Sequence, residues 1–412
     1  MVKHVPGTLK KISVRNVRLG MFIHDLCGSW MDHPFWKTRF LLDDPRELKR
    51  LKSCGIQEIW IDTAKGLDAS PSVPAVSLEA EEREVESLLR EVVREEEENA
   101  CAPCAFHEEL ERARAVHARA KQAVLSMFQD ARMGQALQIG DAMSVVDDIT
   151  QSLSRNTTAF LTLARLKSKD DYTYLHSVAV CAFMTALGMQ LGLTGETLRS
   201  AGLAGLLHDI GKMTIPDSVL KKPGTLSEEE FALVKTHPRR GWEILKQAHA
   251  DDIVLDVCLN HHERMDGRGY PGPVSGEELS IFARMVAVCD VYDALTSDRC
   301  YRRASPPAET VRKMAEWLNG HFDQRIFFAF VKVVGIYPTG TLVRLTSGRL
   351  GIVTEQTARN LLLPIVKVFF SANADAPIAP ELVDLSAVQD AIVSSEDSAQ
   401  WGFDWTALLG VA

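Results

Sequence analysis

Histidine and aspartate residues in the middle of the chain have the types and spacing of metal ligands. Six of the twelve histidines fall between His176 and His262, and only His249 among them stands outside a recognisable motif. Imidazole and carboxylate groups without a thiolate suit iron, manganese or zinc. A set of seven exceeds the four ligands of a tetrahedral zinc site, so the sequence predicts two metal ions. The candidate ligands are His176, His208, Asp209, His237, His261, His262 and Asp290.

The adjacent pair His208-Asp209 indicates how two metals would be bridged. An aspartate directly after a histidine lets one segment offer a nitrogen to one metal and a carboxylate to both. A shared carboxylate of this kind places two metals ~3.5–4 Å apart and leaves room for a bridging hydroxide. Lys212 follows about one helical turn later, so its ammonium can face the same space and hold a phosphate oxygen.

Composition restricts the class of protein. A chain of 412 residues with 46% hydrophobic and 25% charged residues predicts two to three domains of a soluble globular protein. The net charge of −9, without a basic stripe, argues against a nucleic acid polymer as the main partner. The N-terminus lacks an apolar signal segment and no stretch approaches about 18 consecutive apolar residues. We therefore expect a cytoplasmic protein with no membrane partner.

Periodicity and turn residues divide the chain into five parts. Asp44-Pro45 predicts the start of a helix, and residues 56–62 alternate like a strand. The acidic run after residue 78 predicts a solvated helix. The parts are residues 1–65 as a small α+β domain, 66–107 as a linker and acidic helix, 108–164 as connecting helices, 165–335 as the domain with the candidate ligands, and 336–412 as a β-hairpin extension and tail.

Helical patterns place several of the candidate ligands. Ser227 and Glu230 form a capping box, which predicts that the helix after it carries His237. Residues 253–261 have helical spacing, so His261 falls at a helix end. Residues 280–295 predict an apolar helix with Asp290 in its interior.

Four motifs occur in an order that resembles the HD-GYP family, bacterial phosphodiesterases that hydrolyse the second messenger cyclic di-GMP. They are HDIGK, THPRRG, HHERMDGRGYP and DVYDALTSDRCYRR, and Gly269-Tyr270-Pro271 is the GYP triplet itself. The likeness covers about residues 165–335. It implies a mainly α fold, an HD-superfamily helical bundle, to which the small N-terminal α+β domain and the C-terminal β extension are added.

The resemblance also implies roles for individual residues. All of the candidate ligands would bind metal, with Asp209 as the bridge, and Asp209 and Lys212 would be the catalytic residues. The cofactors would be two divalent metal ions, iron or manganese. Cyclic di-GMP would be cleaved by the bridging hydroxide to linear pGpG and then to GMP. The implied substrate contacts are Lys212, Tyr270, Asp293, Arg299 and Arg302.

One position departs from part of the family. Some members hold a third metal through a glutamate one helical turn before the first ligand histidine. Tyr172 stands at that place in this chain. Two metals are therefore expected rather than three.

The segment ahead of the metal-rich region resembles the domain of unknown function often found in front of HD-GYP. It contains none of the clustered candidate ligands, so we expect it to regulate or to assemble the protein, with a homodimer as one arrangement. The matching residues are Leu19-Gly20-Met21, Ser29-Trp30, His33-Pro34-Phe35 and Gly55-Ile56.

Other functions are compatible with parts of the pattern. A catalytically silent receptor would bind cyclic di-GMP without hydrolysis, but such members have lost ligands or the GYP triplet, and this chain has lost neither. Another HD-superfamily phosphohydrolase or a di-iron oxygenase would keep the metals and change the chemistry. The GYP triplet and the arginines after Asp290 disfavour those two.

Overall fold

The computed structural model describes most of the chain. Arg299, Arg302 and His33 lie outside the described residues, as do Ser29-Trp30 and Gly55 of the N-terminal likeness. The residues that it does not describe are 1–7, 28–38, 54–55, 71, 95–103, 167–171, 223, 225, 299–303, 319, 358–359, 399 and 412.

The N-terminal part is a five-stranded antiparallel sheet with a core of its own. Helix α1 (Pro45–Ser53) starts where Asp44-Pro45 predicts it, because the Asp44 carboxylate accepts a hydrogen bond from the Arg46 amide at 2.7 Å. Strand β5 pairs with β1, so the sheet extends past the expected boundary at residue 65. The strands are β1 (Leu9–Ser13), β2 (Phe22–Cys27), β3 (Phe40–Leu41), β4 (Glu58–Asp62) and β5 (Val76–Ser77), in the order β3-β2-β4-β1-β5.

Helix α2 (Leu78–Arg94) is the acidic helix, and one of its faces is buried. Val85, Leu89 and Val92 are at most 6% exposed and belong to the main hydrophobic core. The expectation of a fully solvated helix is therefore wrong. Most of its acidic residues lie on the exposed side of an amphipathic helix, whose apolar stripe lies against the helical bundle, whereas Glu81 is buried and pairs with Lys11.

The central part of the chain is a helical bundle, which confirms the mainly α fold class. Helix α6 lies in its middle and packs against α3, α5, α7, α12 and α14. The helices are α3 (Phe106–Arg132), α4 (Ile139–Arg155), α5 (Thr157–Ala164), α6 (Tyr172–Gln190), α7 (Gly195–Leu207), α8 (Asp217–Leu220), α9 (Glu228–Val234), α10 (His237–Gln247), α11 (Asp252–Asn260), α12 (Ile281–Leu295), α13 (Pro307–Glu316) and α14 (Gln324–Val334). Helix α2 covers α13 and α14.

Helix α6 is also apolar along most of its length. Within the part of the chain that the structure describes, it alone is long and apolar enough to cross a membrane by length and composition. Of its apolar window, 78% is buried inside the protein. A core helix passes the same test, and the position of α6 between other helices accounts for its composition.

The helix that contains His237 begins at that residue. The capping box of Ser227 and Glu230 is present, but it starts α9, which ends at Val234. His237 opens the next helix, α10, with Pro238 in its first turn. The expectation that the capped helix carries His237 is wrong, because proline lacks an amide hydrogen and favours the first turn of a helix over its interior.

The C-terminal part is a second five-stranded antiparallel sheet followed by a short helix, α15 (Trp405–Leu409). The expected hairpin is β6 (Leu342–Leu345) with β7 (Arg349–Glu355), and β8 (Ile365–Ser371) follows it. Two further strands, β9 (Ala376–Asp384) and β10 (Ile392–Glu396), complete the order β10-β6-β7-β8-β9. The sequence analysis missed β9, because it is largely exposed and contains two prolines, so its apolar alternation is weak.

Candidate metal centre

Five helices bring the candidate ligands together in the bundle. Each of these ligands is at most 7% exposed, so their polar atoms are shielded from bulk water. His176 lies in the second turn of α6, His208 and Asp209 follow α7, His237 opens α10, His261 and His262 follow α11, and Asp290 lies inside α12. Three of the positions are therefore helix ends, where the chain can turn a side chain towards a common centre.

The ligand atoms form two groups around Asp209. Its Oδ2 lies 3.5 Å from Nε2 of His176 and 3.4 Å from Nε2 of His208. Its Oδ1 lies 3.2 Å from Nε2 of His237 and 3.6 Å from Nε2 of His261. One carboxylate thus faces a different pair of imidazoles with each oxygen, which is the arrangement that a bridging ligand requires.

Asp290 and His262 complete the two groups. Asp290 Oδ1 lies 3.0 Å from Nε2 of His176, and its Oδ2 lies 3.7 Å from Nδ1 of His262. The His262 ring is centred 4.0 Å from that of His261. We call His176, His208, Asp209 and Asp290 the first subsite, and His237, His261, His262 and Asp209 the second subsite.

The backbone orients three of the histidines in the same way. In His208, His237 and His261, the Nδ1–H donates to the carbonyl oxygen three residues earlier, at 2.8, 2.7 and 2.9 Å respectively. This bond selects the tautomer that leaves a lone pair on Nε2, the atom that faces Asp209. The ring orientation at the centre is therefore set by helix geometry rather than by the metals alone.

Polar atoms without partners fit a cation site. The buried Nε2 of His208, Oδ1 of Asp209 and Nδ1 of His262 have no hydrogen-bond partner among the described residues. In addition, Nε2 of His237 and Nε2 of His261 face each other at 3.1 Å, although both rings already donate through Nδ1. Unsatisfied buried groups cost about 1–3 kcal/mol each, and two facing lone pairs repel. Divalent cations would satisfy these atoms, and nitrogen with oxygen donors suits iron, manganese or zinc.

Protonation at most of the candidate ligands also suits metal binding. His208 differs, because burial lowers its pKa but the Asp209 carboxylate outweighs burial and raises it. Burial alone would raise the pKa of Asp209 and Asp290, but charged and hydrogen-bonded neighbours, Lys212 foremost for Asp209, hold both pKa values well below the usual range. Burial lowers the pKa of His261 to about 4 and holds the pKa of His262 well below its usual value. Ionised carboxylates and neutral imidazoles are the forms that bind metal.

Gly211 allows the segment after Asp209 to approach α10 closely. A Cβ at this position would lie 2.0 Å from the carbonyl oxygen of His237 and 2.5 Å from the amide nitrogen of Gly241. Real side chains do not tolerate such contacts with backbone, so only glycine fits here. This contact brings Asp209 within reach of His237, which belongs to a different helix.

Comparisons with known proteins agree with this fold. Residues 9–142 match a domain of unknown function (DUF3391), and residues 150–326 match the HD domain. The chain is 52% identical over 409 residues to the cyclic di-GMP phosphodiesterase PA4108 of Pseudomonas aeruginosa, a match that covers 97% of this chain and 96% of that protein. The chain belongs to the HD-domain family of cyclic di-GMP phosphodiesterases. The resemblance that the sequence motifs indicated is confirmed.

Other relatives of this HD-domain family match over shorter lengths. The 3'3'-cGAMP-specific phosphodiesterase 1 of Vibrio cholerae is 34% identical, over 40% of this chain and 38% of that one. Among solved structures, Bd1817, an HDG"Y"P protein from Bdellovibrio bacteriovorus, matches with a TM-score of 0.44 and 18% identity, over 79% of this chain and 99% of that chain.

Lys212 of the HD domain lies at the metal centre. Its ammonium contacts the Asp209 carboxylate, and its side chain is 18% exposed. Its ammonium therefore adjoins both the Asp209 carboxylate and solvent. An ammonium at this position can bind a phosphate oxygen, which is the role that the resemblance implies.

Tyr270 borders the second subsite. Its ring is centred 4.7 Å from that of His262, at an angle of 38°. The preceding Gly269 makes this approach feasible, because a Cβ there would lie 2.3 Å from Cα of Glu263. The Tyr270 ring is half-buried, and the Lys235 ammonium lies over it, 4.9 Å from its centroid.

Glu263 was not singled out in the sequence, although it directly follows the histidine pair. It is 2% exposed and accepts a hydrogen bond from the Gly272 amide at 2.6 Å. Burial raises its pKa. The Glu263 side chain thus links the loop that contains Tyr270 to the segment that contains His262. Its position directly after His261-His262 was the sequence feature that could have identified it.

Asp293 lies behind His176 rather than in front of it. Its Oδ2 accepts a hydrogen bond from the Nδ1–H of His176 at 2.6 Å, and its side chain is fully buried. The opposite atom of the same ring, Nε2, faces Asp209 and Asp290. This position differs from the substrate contact that the resemblance implies. It is the position of a carboxylate that orients a metal ligand.

Tyr172 occupies the place where a third-metal glutamate would stand. Its ring stacks on the His176 ring with centroids 5.6 Å apart and an angle of 12° between planes. At this position the chain has a phenol ring that packs on His176, and not a carboxylate that could bind a metal. The stacking fits the expectation of two metals.

Proposed function

We propose that this chain hydrolyses cyclic di-GMP at the two subsites around Asp209. The observation that carries the proposal is one buried carboxylate with a pair of imidazole nitrogens near each of its oxygens, at 3.2–3.6 Å. The full-length relative at 52% identity supports the choice of substrate. Two divalent ions, iron or manganese, would supply Lewis-acid stabilisation of the phosphate oxygens and an activated water when bound here.

The residues of the centre divide between holding metal and holding substrate. In this proposal the first and second subsites hold one ion each and share Asp209. Lys212 offers its ammonium to an oxygen of the scissile phosphate. Tyr270, whose ring borders the second subsite, would contact the substrate beside the metals. Arg299 and Arg302 follow α12 in sequence and would pair with the substrate's phosphates or guanine edges.

Asp293 has a different part in this proposal. It accepts the Nδ1 proton of His176 and so keeps Nε2 of that ring available to the first subsite. The first product would be linear pGpG, because a single phosphodiester is cleaved at one centre. A second cleavage would give GMP.

Hydrolysis of cyclic di-GMP by the metal-loaded protein tests the proposal. We expect cyclic di-GMP to disappear with pGpG as the first product, measured by chromatography of the reaction over time. We also expect it to be consumed faster than 3'3'-cGAMP at the same concentration, because the cyclic di-GMP relative matches over nearly the full length. Tight binding of cyclic di-GMP by fully loaded protein, without any loss of it, would contradict hydrolysis and favour the silent receptor.

We place the N-terminal sheet outside the catalytic machinery, as a regulatory or assembly element. Its core is separate from that of the bundle, and it contains none of the proposed ligands. It meets the bundle through polar contacts such as the ion pair of Asp25 with Lys313, at 2.6 Å. Helix α2 differs, because its apolar face is part of the bundle core.

Two truncations should therefore behave differently. A chain that begins at residue 78 should keep its metals and its turnover, because α2 remains. A chain that begins at residue 105 loses Val85, Leu89 and Val92 from the core, at about 1.5–3 kcal/mol each, or roughly 5 kcal/mol in total. Urea unfolding and metal analysis of both chains measure the difference. Equal stability of the two would show that α2 does not support the bundle.

A further inference from the structure

Lys235 places a positive charge beside the loop that contains Tyr270. It follows α9, and its amide donates to the carbonyl oxygen of Phe231 at 3.0 Å. Its Nζ lies 4.7 Å from the ring centroid of Phe231 and 4.9 Å from that of Tyr270. An ammonium is attracted to the faces of aromatic rings at such distances, so the two rings fix the position of this charge.

Tyr270 connects this ammonium to the second subsite. The Tyr270 amide donates to the carbonyl oxygen of His262 at 3.2 Å, and the rings of these two residues are centred 4.7 Å apart. The ring of His237 is centred 6.5 Å from that of Tyr270. The Lys235 ammonium is therefore one aromatic ring away from two candidate ligands of the second subsite.

The Lys235 side chain can also be reached from solvent. It is partly exposed, as Tyr270 is, whereas His237 and His262 are at most 7% exposed. The charge thus lies at the border between the buried ligands and solvent. The two rings hold the ammonium and leave its charge unchanged, so it can attract an anion that approaches the centre from solvent.

The substrate of the proposed reaction has two anionic groups for the protein to hold. A cyclic dinucleotide contains two phosphodiesters on opposite sides of one ring, so when one lies at the metals the other lies away from them. Lys212 contacts the Asp209 carboxylate and is placed for the phosphate that is cleaved. The Lys235 ammonium lies beyond Tyr270, on the side of the second subsite, and a compact ammonium can bind a phosphate oxygen.

We propose that Lys235 binds the phosphodiester of cyclic di-GMP that is not being cleaved. The inference rests on the proposed hydrolysis of cyclic di-GMP, and it adds a substrate contact that the sequence motifs did not single out. The ammonium would hold the distal phosphate while the other phosphate lies at the metals, and Tyr270 would keep the ammonium in place. Lys235 would therefore favour substrates with two phosphates over those with one.

The KM of the full-length, metal-loaded protein for cyclic di-GMP tests this inference. Lys235→Met removes the charge and keeps an apolar side chain against both rings, because a thioether packs well on aromatic groups. We expect its KM to rise about tenfold, the effect of losing one charge-assisted hydrogen bond. Its kcat should stay within about twofold of the wild-type value, because a contact to a non-reacting group acts equally on the bound substrate and the transition state.

Two further variants show whether the charge of Lys235 is responsible. Lys235→Arg keeps the charge and should recover most of the affinity. Lys246→Met is the matched control, because the Lys246 ammonium also lies over an aromatic ring, 4.5 Å from the Trp242 centroid, in the last turn of α10. Its KM should equal that of the wild type. An arginine variant as weak as the methionine variant would overturn the proposal.

A substrate with a single phosphodiester separates substrate binding from a merely structural role. Bis(p-nitrophenyl) phosphate has one phosphodiester, so Lys235→Met should lower its kcat/KM by less than about twofold. Equal losses with both substrates would overturn the proposal, because they would indicate damage to the metal centre. An unchanged KM for cyclic di-GMP would overturn it as well.

Failure of the proposed function would give a different result. It would appear as metal-loaded wild-type protein that binds cyclic di-GMP and does not hydrolyse it. Equilibrium binding of cyclic di-GMP would then test Lys235, and Lys235→Met should bind about tenfold more weakly than the wild type. Equal affinity of the two proteins would remove Lys235 from the substrate site.

Discussion

Asp209→Ala should remove both metal ions and abolish hydrolysis of cyclic di-GMP. Each oxygen of this carboxylate faces two imidazoles of a different subsite. Each oxygen of Asp290 faces only one imidazole, that of His176 or that of His262. Removing one partner from a buried charged group costs ~3–5 kcal/mol, which corresponds to a factor of roughly 10²–10⁴. Elemental analysis and the initial rate of cyclic di-GMP loss measure the two effects.

Two controls make that result specific to the bridge. Asp209→Asn keeps the shape of the side chain and removes its charge, so it should lose metal almost as fully as the alanine variant. Asp252→Ala removes an exposed carboxylate from the first turn of α11, close in sequence to two candidate ligands, and should keep both metals and full turnover. Turnover near the wild-type rate in Asp209→Ala, with two metals retained, would contradict the assignment of the bridge.

Fully loaded protein should contain two metal ions per chain, and variants of the two subsites should each lose one. His208→Ala removes a ligand from the first subsite, and His261→Ala removes one from the second. Each variant should fall to about one ion per chain, with turnover reduced by at least about 10³-fold, since both ions act on the same phosphate. Stripping the metals should also lower the Tm, because a bound ion stabilises by about 2.7 kcal/mol at a hundred times its Kd.

Elemental analysis of wild type and variants, loaded under the same conditions, gives the count. His249→Asn is a suitable control, because this exposed histidine has a φ of 56°, which asparagine tolerates, and lies away from the cluster. A reproducible wild-type value of one or three would contradict the two-subsite centre. A value of three would also require another ligand set, since Tyr172 stacks on His176 where a further carboxylate would be needed.

The centre owes its geometry to contacts between helices that are distant in sequence. The Nδ1–H bonds of His208, His237 and His261 are local, because each joins a histidine to a carbonyl three residues earlier. The approach of Asp209 to His237 is not local, and it depends on the backbone contact of Gly211 with α10. Local bonds therefore orient the rings, and packing sets the distance between the subsites.

The sequence by itself was enough to identify the chemistry. The candidate ligands are histidines and aspartates without a cysteine, which excludes a thiolate site. There are seven of them, more than the four ligands that one tetrahedral zinc ion requires. Asp209 could be predicted as the bridge because it directly follows His208. The helix around Asp290 was visible as an apolar run with two acids, Asp290 and Asp293, inside it. A buried charge in such a helix needs a partner.

Only the tertiary structure decided what lies behind the ligands. Asp293 contacts His176 across 117 residues of sequence, and which face of α12 meets α6 cannot be derived from either helix alone. Periodicity shows which side of a helix is apolar, but it does not show which partner covers that side. The ligands are therefore evident in the sequence, whereas the residues that hold them in place emerge only when distant elements pack together.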